Sequence, residues 1–552
     1  MLALAGLLIH LVSKGHDGDA GRMALAALFF FGPLTAAFSL ESERWQVAAI
    51  FSAIVGLAMA GIAWRAVHAD VHYAGTQYAF AAGVIATLLS VPLFQAGFHK
   101  TRFATPYPAT YFFVWTDAVS GAGAIAFTGL AFAMTAVLAA LFHLLKLDFL
   151  KDLLDEEWFD WMLAGAAFGA ALGVLRNQLK VLGTLTSVAL LVLSILAVPL
   201  AAALAIFLAA MVVSGPEVLW EATRSATPVL LTCAAGSFVL ANAVIRDEDE
   251  AVSKWRIMRI AALVLALGIL PLTIFAAISM GTRVAQHGLT PERIWGLVAI
   301  GVACAYGVAY FVDVVRGWKA GWRPMLRRAN FNLAVATSAF ALILALPVLD
   351  FGAVSATSQV ARLERGAVSV EDFDYDALKW DFGDAGKRAL AALAKDPNAE
   401  IAGLAREAQE RKTRPYRWGG MAAGNEKRLA NIHFRFDDPA LREALESFVR
   451  RTPFTCDAPC VALDLGSYPD GSPHLALVMR GYIEHLKRDS NGDLAAEYGP
   501  LPAPPKQPAP TSSPTSPGAA KPAPAAVPQV EVRKYEGRQI YVDGKPVGDP
   551  FR

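Results

Sequence analysis

Four polar residues stand in or near apolar runs of this 552-residue chain: Asp117, His143, Asn242 and Asp313. Ionisable and amide side chains are costly in hydrocarbon, so each is a candidate for handling protons, ions or a substrate. Plainer uses compete with that role. Asp117 follows Trp115 and fits a helix mouth, His143 and Asp313 lie near the ends of their runs, and Asn242 can bond between helices. The loop His68-Ala-Asp70-Val-His72 offers three metal donors, on one side of an extended strand or with both histidines on one helix face. It equally suits an ordinary polar loop with Trp64 and Tyr73 as interface anchors. Cys456 and Cys460, spaced Cys-Asp-Ala-Pro-Cys, can close a very short disulfide loop in an oxidising compartment. No adjacent basic cluster or histidine spacing favours a reactive thiol or a metal site there. His433, His474 and His485 are dispersed and read as core or surface residues. No phosphate loop, Gly-x-Ser-x-Gly elbow or zinc spacing appears, so no catalytic residue and no cofactor is assigned.

The elements that would position these residues are apolar helices. Apolar residues make up 55% of the chain and are concentrated before Asp350, while the net charge of +1 gives no reason to propose nucleic acid as a partner. Met23–Leu40, Trp45–Trp64, Tyr78–Phe98, a run ending near Leu145, Trp158–Leu175, Val181–Val213, Ala226–Ile245, Ile260–Met280, Ile294–Val315 and Phe331–Leu349 each reach membrane-span length. Met1–Val12 is about half a span, so the start reads as falling inside a longer first helix; with it the count is about eleven. Pro199 predicts a kinked, tilted helix over Val181–Val213. Gly165, Gly169 and Gly173 recur every fourth position, a face small enough for close helix packing in lipid.

Orientation follows from Lys and Arg in the short loops. The alternate loops that include Arg246, Lys254, Arg256, Arg259, Arg316, Lys319, Arg323, Arg327 and Arg328 outweigh the other set in basic residues. The positive-inside rule puts them in the cytoplasm, so Phe331–Leu349 runs outward and the chain after Asp350 emerges on the far side.

After Asp350 the pattern becomes that of a small α/β domain. Helical periodicity marks Ala353–Arg365, a helix from Asp384 through Ala394, a helix after Asp396-Pro397 and one after Asp438-Pro439. Ile432–Phe436, Val461–Leu465, His474–Met479, Tyr482–Arg488 and Asp493–Tyr498 read as strands, the last two around the turn Asp489-Ser-Asn-Gly492. A proline-rich stretch follows, then a hairpin at Arg538–Val547. The expected domains are a transmembrane bundle over 1–349, a periplasmic α/β domain over 350–499, a proline-rich linker over 500–528 and a short β-hairpin module over 529–552.

Gly32-Pro33, Glu41-Ser-Glu43-Arg44-Trp45 and Leu147-Asp148-Phe149-Leu150, with Val360-Ala-Arg362-Leu-Glu364-Arg-Gly366 and Phe373-Asp374-Tyr375-Asp376-Ala-Leu378, resemble a family of uncharacterised bacterial inner-membrane proteins, a domain of unknown function. The resemblance reaches to about Met479. It implies a multi-pass inner-membrane location and carries no catalytic residue. The expected function is a non-enzymatic envelope anchor, with the lipid bilayer around the bundle and a periplasmic protein partner held by the tail. The alternative is a transporter or permease that uses the buried polar residues.

Overall fold

The computed structural model describes residues 1–552 except 16–17, 41–44, 70–71, 215–225, 318–320, 415–427, 453–454, 469–470, 480–481, 489–493, 497–529, 535–537, 543–544 and 552. For 530–551 only the backbone of the strands is described. The chain divides into two compact units, Met1–Lys412 and Thr413–Arg552.

The first unit is helical. A short apolar helix, α1 (Leu2–Ser13), precedes α2 (Ala20–Ser39), α3 (Trp45–His68), α4 (Thr76–Gln95), α5 (Tyr107–Leu144), α6 (Glu157–Asn177), α7 (Leu179–Ser214), α8 (Ala226–Ile245), α9 (Arg256–His287), α10 (Pro291–Arg316) and α11 (Trp322–Ala345). Among the described residues the ten helices α2–α11 are long and apolar enough to cross a membrane, which makes this a multi-pass membrane protein. Pro199 lies inside α7, which continues through it as one element of 36 residues. At 1.5 Å per residue α7 is about 54 Å long, well beyond the ~30 Å of a hydrocarbon core, so it must tilt or project. Pro33, Pro92 and Pro271 are likewise carried inside helices. Membrane helices tolerate this because neighbouring groups satisfy the freed carbonyls.

Small residues set the closest approach. A Cβ on Gly165 would stand 2.3 Å from the Leu2 carbonyl oxygen, and one on Gly6 would stand 2.1 Å from that of Trp161. The α1 and α6 backbones therefore touch where only hydrogen fits. Gly169 continues that contact, with Leu2 Cβ at 3.2 Å from the same construction, whereas nothing covers Gly173 within 4 Å.

Beyond the last span, α12 (Phe351–Glu364), α13 (Tyr375–Trp380), α14 (Gly383–Leu393) and α15 (Ala399–Glu410) enclose a core of Ala356, Leu363, Phe373, Leu378, Phe382, Leu390 and Ala405. Asp350 caps α12 by accepting from Ala353 N–H, Asp374 caps α13 and Asn398 caps α15. This layer belongs with the membrane helices and not with the strands that follow. The last carbonyls of a helix have no partner within it; at the end of α9, Arg362 donates to the Ala285 and Gln286 carbonyls at 2.9 and 2.6 Å. Gln359 donates to those of His287 and Leu289 at 2.9 and 3.0 Å.

The second unit is an α/β fold. A five-stranded sheet has the order β1 (Ile432–Phe434), β2 (Cys460–Ser467), β3 (Pro473–Met479), β4 (Tyr482–Arg488) and β5 (Leu494–Ala496). β1 and β2 are parallel and joined through α16 (Pro439–Arg451), while the other pairs are antiparallel. Leu445, Phe448 and Val449 of α16 pack on Ala462, Leu475, Leu477 and Leu486. At the C-terminus β6 (Val530–Lys534), β7 (Arg538–Val542) and β8 (Lys545–Phe551) form a three-stranded antiparallel sheet, one strand more than the expected hairpin. The proline-rich segment over 500–528 lies outside the described residues, as do the turns at 489–492 and 543–544.

Candidate intramembrane site

Asp117 lies in the third turn of α5, facing the C-terminal ends of α2, α4 and α6. Gln95, the last residue of α4, donates to Asp117 Oδ1 at 3.3 Å and to the Phe38 carbonyl at 2.7 Å. Arg176 of α6 donates to the neighbouring Ala37 carbonyl. Asp117 Oδ2 and Gln95 Oε1 are buried without a hydrogen-bond partner among the described residues. Both border a cavity of about 910 Å³ whose walls include Phe112, Phe113, Leu172, Gly173 and Leu182. A mostly apolar cavity that also carries two acceptors unsatisfied among the described residues suits a molecule with an apolar body and a hydrogen-bond donor.

Asn242 has the opposite environment. Its Nδ2 donates to Tyr310 Oη at 2.6 Å, the Tyr310 hydroxyl donates to Asn330 Oδ1 at 2.8 Å, and Asn330 Nδ2 returns to Asn242 Oδ1 at 2.7 Å. The result is a closed three-membered ring joining α8, α10 and α11. The remaining donors are used as well: Asn242 Nδ2 reaches the Phe238 carbonyl at 2.8 Å and Asn330 Nδ2 reaches Tyr107 Oη at 3.4 Å. Next to the ring, Arg327 donates to the carbonyls of Ile245, the last residue of α8, and of Arg246, which follows it, both at 3.0 Å, and pairs with Asp249 at 3.1 Å. Tyr310 is fully buried. A saturated ring inside a packed core fastens helices and leaves no acceptor for a ligand.

The other sequence candidates are not brought to either cluster. His143 ends α5 and its Nδ1 meets Asp148 Oδ1 on the exposed side. Asp313 lies near the end of α10 with Oδ2 buried and without a hydrogen-bond partner among the described residues, while its carbonyl accepts from Gly317 N–H at 2.9 Å. His68 stacks on Trp64 at 4.6 Å between ring centres, and His72 turns the other way to bond Asp384 Oδ2 at 2.7 Å. Asp70, the third donor of that loop, lies outside the described residues. Among the described residues no group of three or more His, Cys, Asp or Glu side chains is placed to hold a metal ion.

In the second unit Cys456 and Cys460 are joined as a disulfide with Cα atoms 5.4 Å apart. Asn431 pins this loop: its Nδ2 donates to the Cys456 and Asp457 carbonyls at 3.0 and 3.2 Å, and its own carbonyl accepts from Cys460 N–H at 3.0 Å. Cys233 and Cys304 are free.

Gln95, Tyr310 and Asn330 were not among the sequence candidates, though each is part of a cluster. Asn330 directly precedes the apolar run from Phe331 and lies three residues after Arg327, hence on the same helix face, and that spacing was the available signal. Gln95 closes α4, and nothing local pairs it with Asp117.

Comparison with curated proteins finds no match, and neither does comparison with solved structures. Residues 23–393, which span α2–α11 and the helical layer through α14, match one family along their whole length. The chain belongs to the family described as Domain of unknown function (DUF4153).

Proposed function

We propose that this multi-pass membrane protein is a non-enzymatic anchor of the bacterial inner membrane, carrying a periplasmic α/β unit that engages another envelope component. The observation that carries this reading is the disulfide. Cys456 and Cys460 are 1% and 0% exposed, so the pair is built into the core of the second unit. Such a bond suits an oxidising compartment, and the basic loops assign the chain after Asp350 to the same side. The strands of Val530–Phe551 supply edges that can pair with a partner sheet, which gives the tail a means of capture.

A second reading, a transporter or permease, is favoured by the cavity beside Asp117 and by its two unsatisfied acceptors. Two measurements on the full chain separate the readings. Cells are alkylated intact and the cysteines assigned by mass spectrometry; two free thiols at 456 and 460 would remove the periplasmic assignment. Partners are then compared between the full chain and one truncated after Pro500. Unchanged partners in unchanged yield would remove the tail from the proposal and favour the transporter.

A further inference from the structure

At the N-terminal end of α9 three guanidinium groups border one cleft. Arg256 and Arg259 lie in the first turn of that helix, and Arg323 comes from the start of α11. The cleft holds about 230 Å³, and Trp322, Ile260 and Leu263 form its apolar part. Arg323 is partly committed, with Nη1 3.5 Å from Asp249 Oδ1, and Asp249 also holds Arg327. Arg256 and Arg259 are exposed, and their guanidinium groups make no hydrogen bond or ion pair among the described residues. The acidic run Asp247–Glu250 therefore leaves these two arginines uncompensated.

Three further features narrow the ligand. Among the described residues no side chain caps the N–H groups of the first turn of α9: the Ser253 hydroxyl donates to Met258 Sδ at 3.1 Å and accepts from the N–H of Trp255, just before the helix, at 3.4 Å. The helix start thus presents open N–H groups and the positive end of its dipole beside the two arginines. Trp255, at the cap position, is 71% exposed and Ile257 and Ile260 are 57% and 58% exposed, so bare apolar surface begins directly below the charges. That sequence, cation then indole then aliphatic, is the profile of a bilayer interface. A soluble anion would use only the upper part of the site.

We infer that this cleft binds the phosphodiester headgroup of an anionic phospholipid, with Arg256 and Arg259 on the phosphate and an acyl chain along Ile257, Ile260 and Leu263. The inference needs the membrane-spanning character of α9 and not the function proposed above. Basic pockets between helix ends favour such lipids because each guanidinium adds attraction in a poorly screened layer.

The test uses the full-length protein in neutral detergent, titrated with phosphatidylglycerol and followed by native mass spectrometry. One phosphatidylglycerol should be retained in preference to phosphatidylcholine. Arg256→Gln/Arg259→Gln should weaken it about 30-fold and Arg259→Gln alone about 5-fold, at roughly one such step per basic residue. The single variant keeps the test open if the double variant does not fold. Arg283→Gln, at the opposite end of α9, should bind as the parent does. Inorganic phosphate at the lipid concentration should not displace the lipid. Equal retention of the two lipids, parent-like binding by the arginine variants, or displacement by inorganic phosphate would each overturn the assignment.

Discussion

Asn242 and Asp117 both interrupt apolar helices, yet one is saturated with partners and the other is not. Asn242 gives and receives within a ring whose members come from three helices, and both of its amide atoms are used. Asp117 receives one long bond from Gln95 and leaves an oxygen buried, beside open space, without a hydrogen-bond partner among the described residues. The same residue class thus serves two ends in one bundle. A satisfied polar group in the membrane interior acts as a fastener, whereas an unsatisfied one beside a cavity is a place where something else must bind or a cost that packing elsewhere must offset.

The ring should give the largest effect. Asn242→Ala strips partners from both Tyr310 and Asn330 inside a dry core, and it should cost about 2 kcal/mol of stability. Unfolding of the purified protein in detergent measures this; a loss below a few tenths would mean that the ring fastens nothing. Tyr310→Phe removes one hydroxyl and should cost about half as much, roughly 1 kcal/mol. Asp117→Asn should act in the opposite direction. It removes a charge and supplies a donor beside Gln95 Oε1, so stability should rise by about 1 kcal/mol. If that variant instead destabilises, Asp117 is already satisfied and the contrast with Asn242 fails.

A smaller effect comes from a polar pair outside the spans. Hydrogen bonds from His72 and then Lys387 hold the Asp384 carboxyl below its ordinary value of 3.8. A depressed carboxyl contributes stability that is present above its unfolded value and is lost as pH falls through the folded value. Attachment of α14 to the loop after α3 should therefore loosen only in strong acid, below about pH 4. Amide exchange across residues 383–393, followed against pH, should show this loosening in the parent and a flat response in Asp384→Asn. The Asn242–Tyr310–Asn330 ring, which contains no carboxylate, should show no such acid-range change in exchange.

Hydropathy alone located the helices, because a span needs only length and apolarity. Runs such as Trp45–Trp64 and Ala226–Ile245 match α3 and α8 closely. The helix periodicity after Asp350 and the strands after Asn431 were legible for a similar reason, since amphipathic patterns are local. What stayed hidden depends on partners far along the chain. No pattern in Gln359 or Arg362 announces that they reach carbonyls some 70 residues upstream, so the helical layer could not be assigned to the membrane unit from sequence. The ring was half visible for the same reason: Asn242 stood out against its apolar neighbours, while Tyr310 passed for an ordinary aromatic and Asn330 for the edge of a basic loop. His68 and His72 shared a spacing but not a direction, because Trp64 takes one ring and Asp384 the other.

The hydrogen bonds that tie the helical layer down also impose an order on the making of the protein. Asp384 leaves the ribosome 312 residues after His72, and Arg362 leaves it 77 after Ala285. The loop after α3 and the open end of α9 are therefore threaded and inserted long before their cover exists. They spend that interval with water, lipid headgroups or a chaperone in place of α12 and α14. Contacts of such long sequence separation are completed late. A chain ending between Ala345, the last residue of α11, and Phe351, the first of α12, would hold its membrane helices complete but uncovered at these loops.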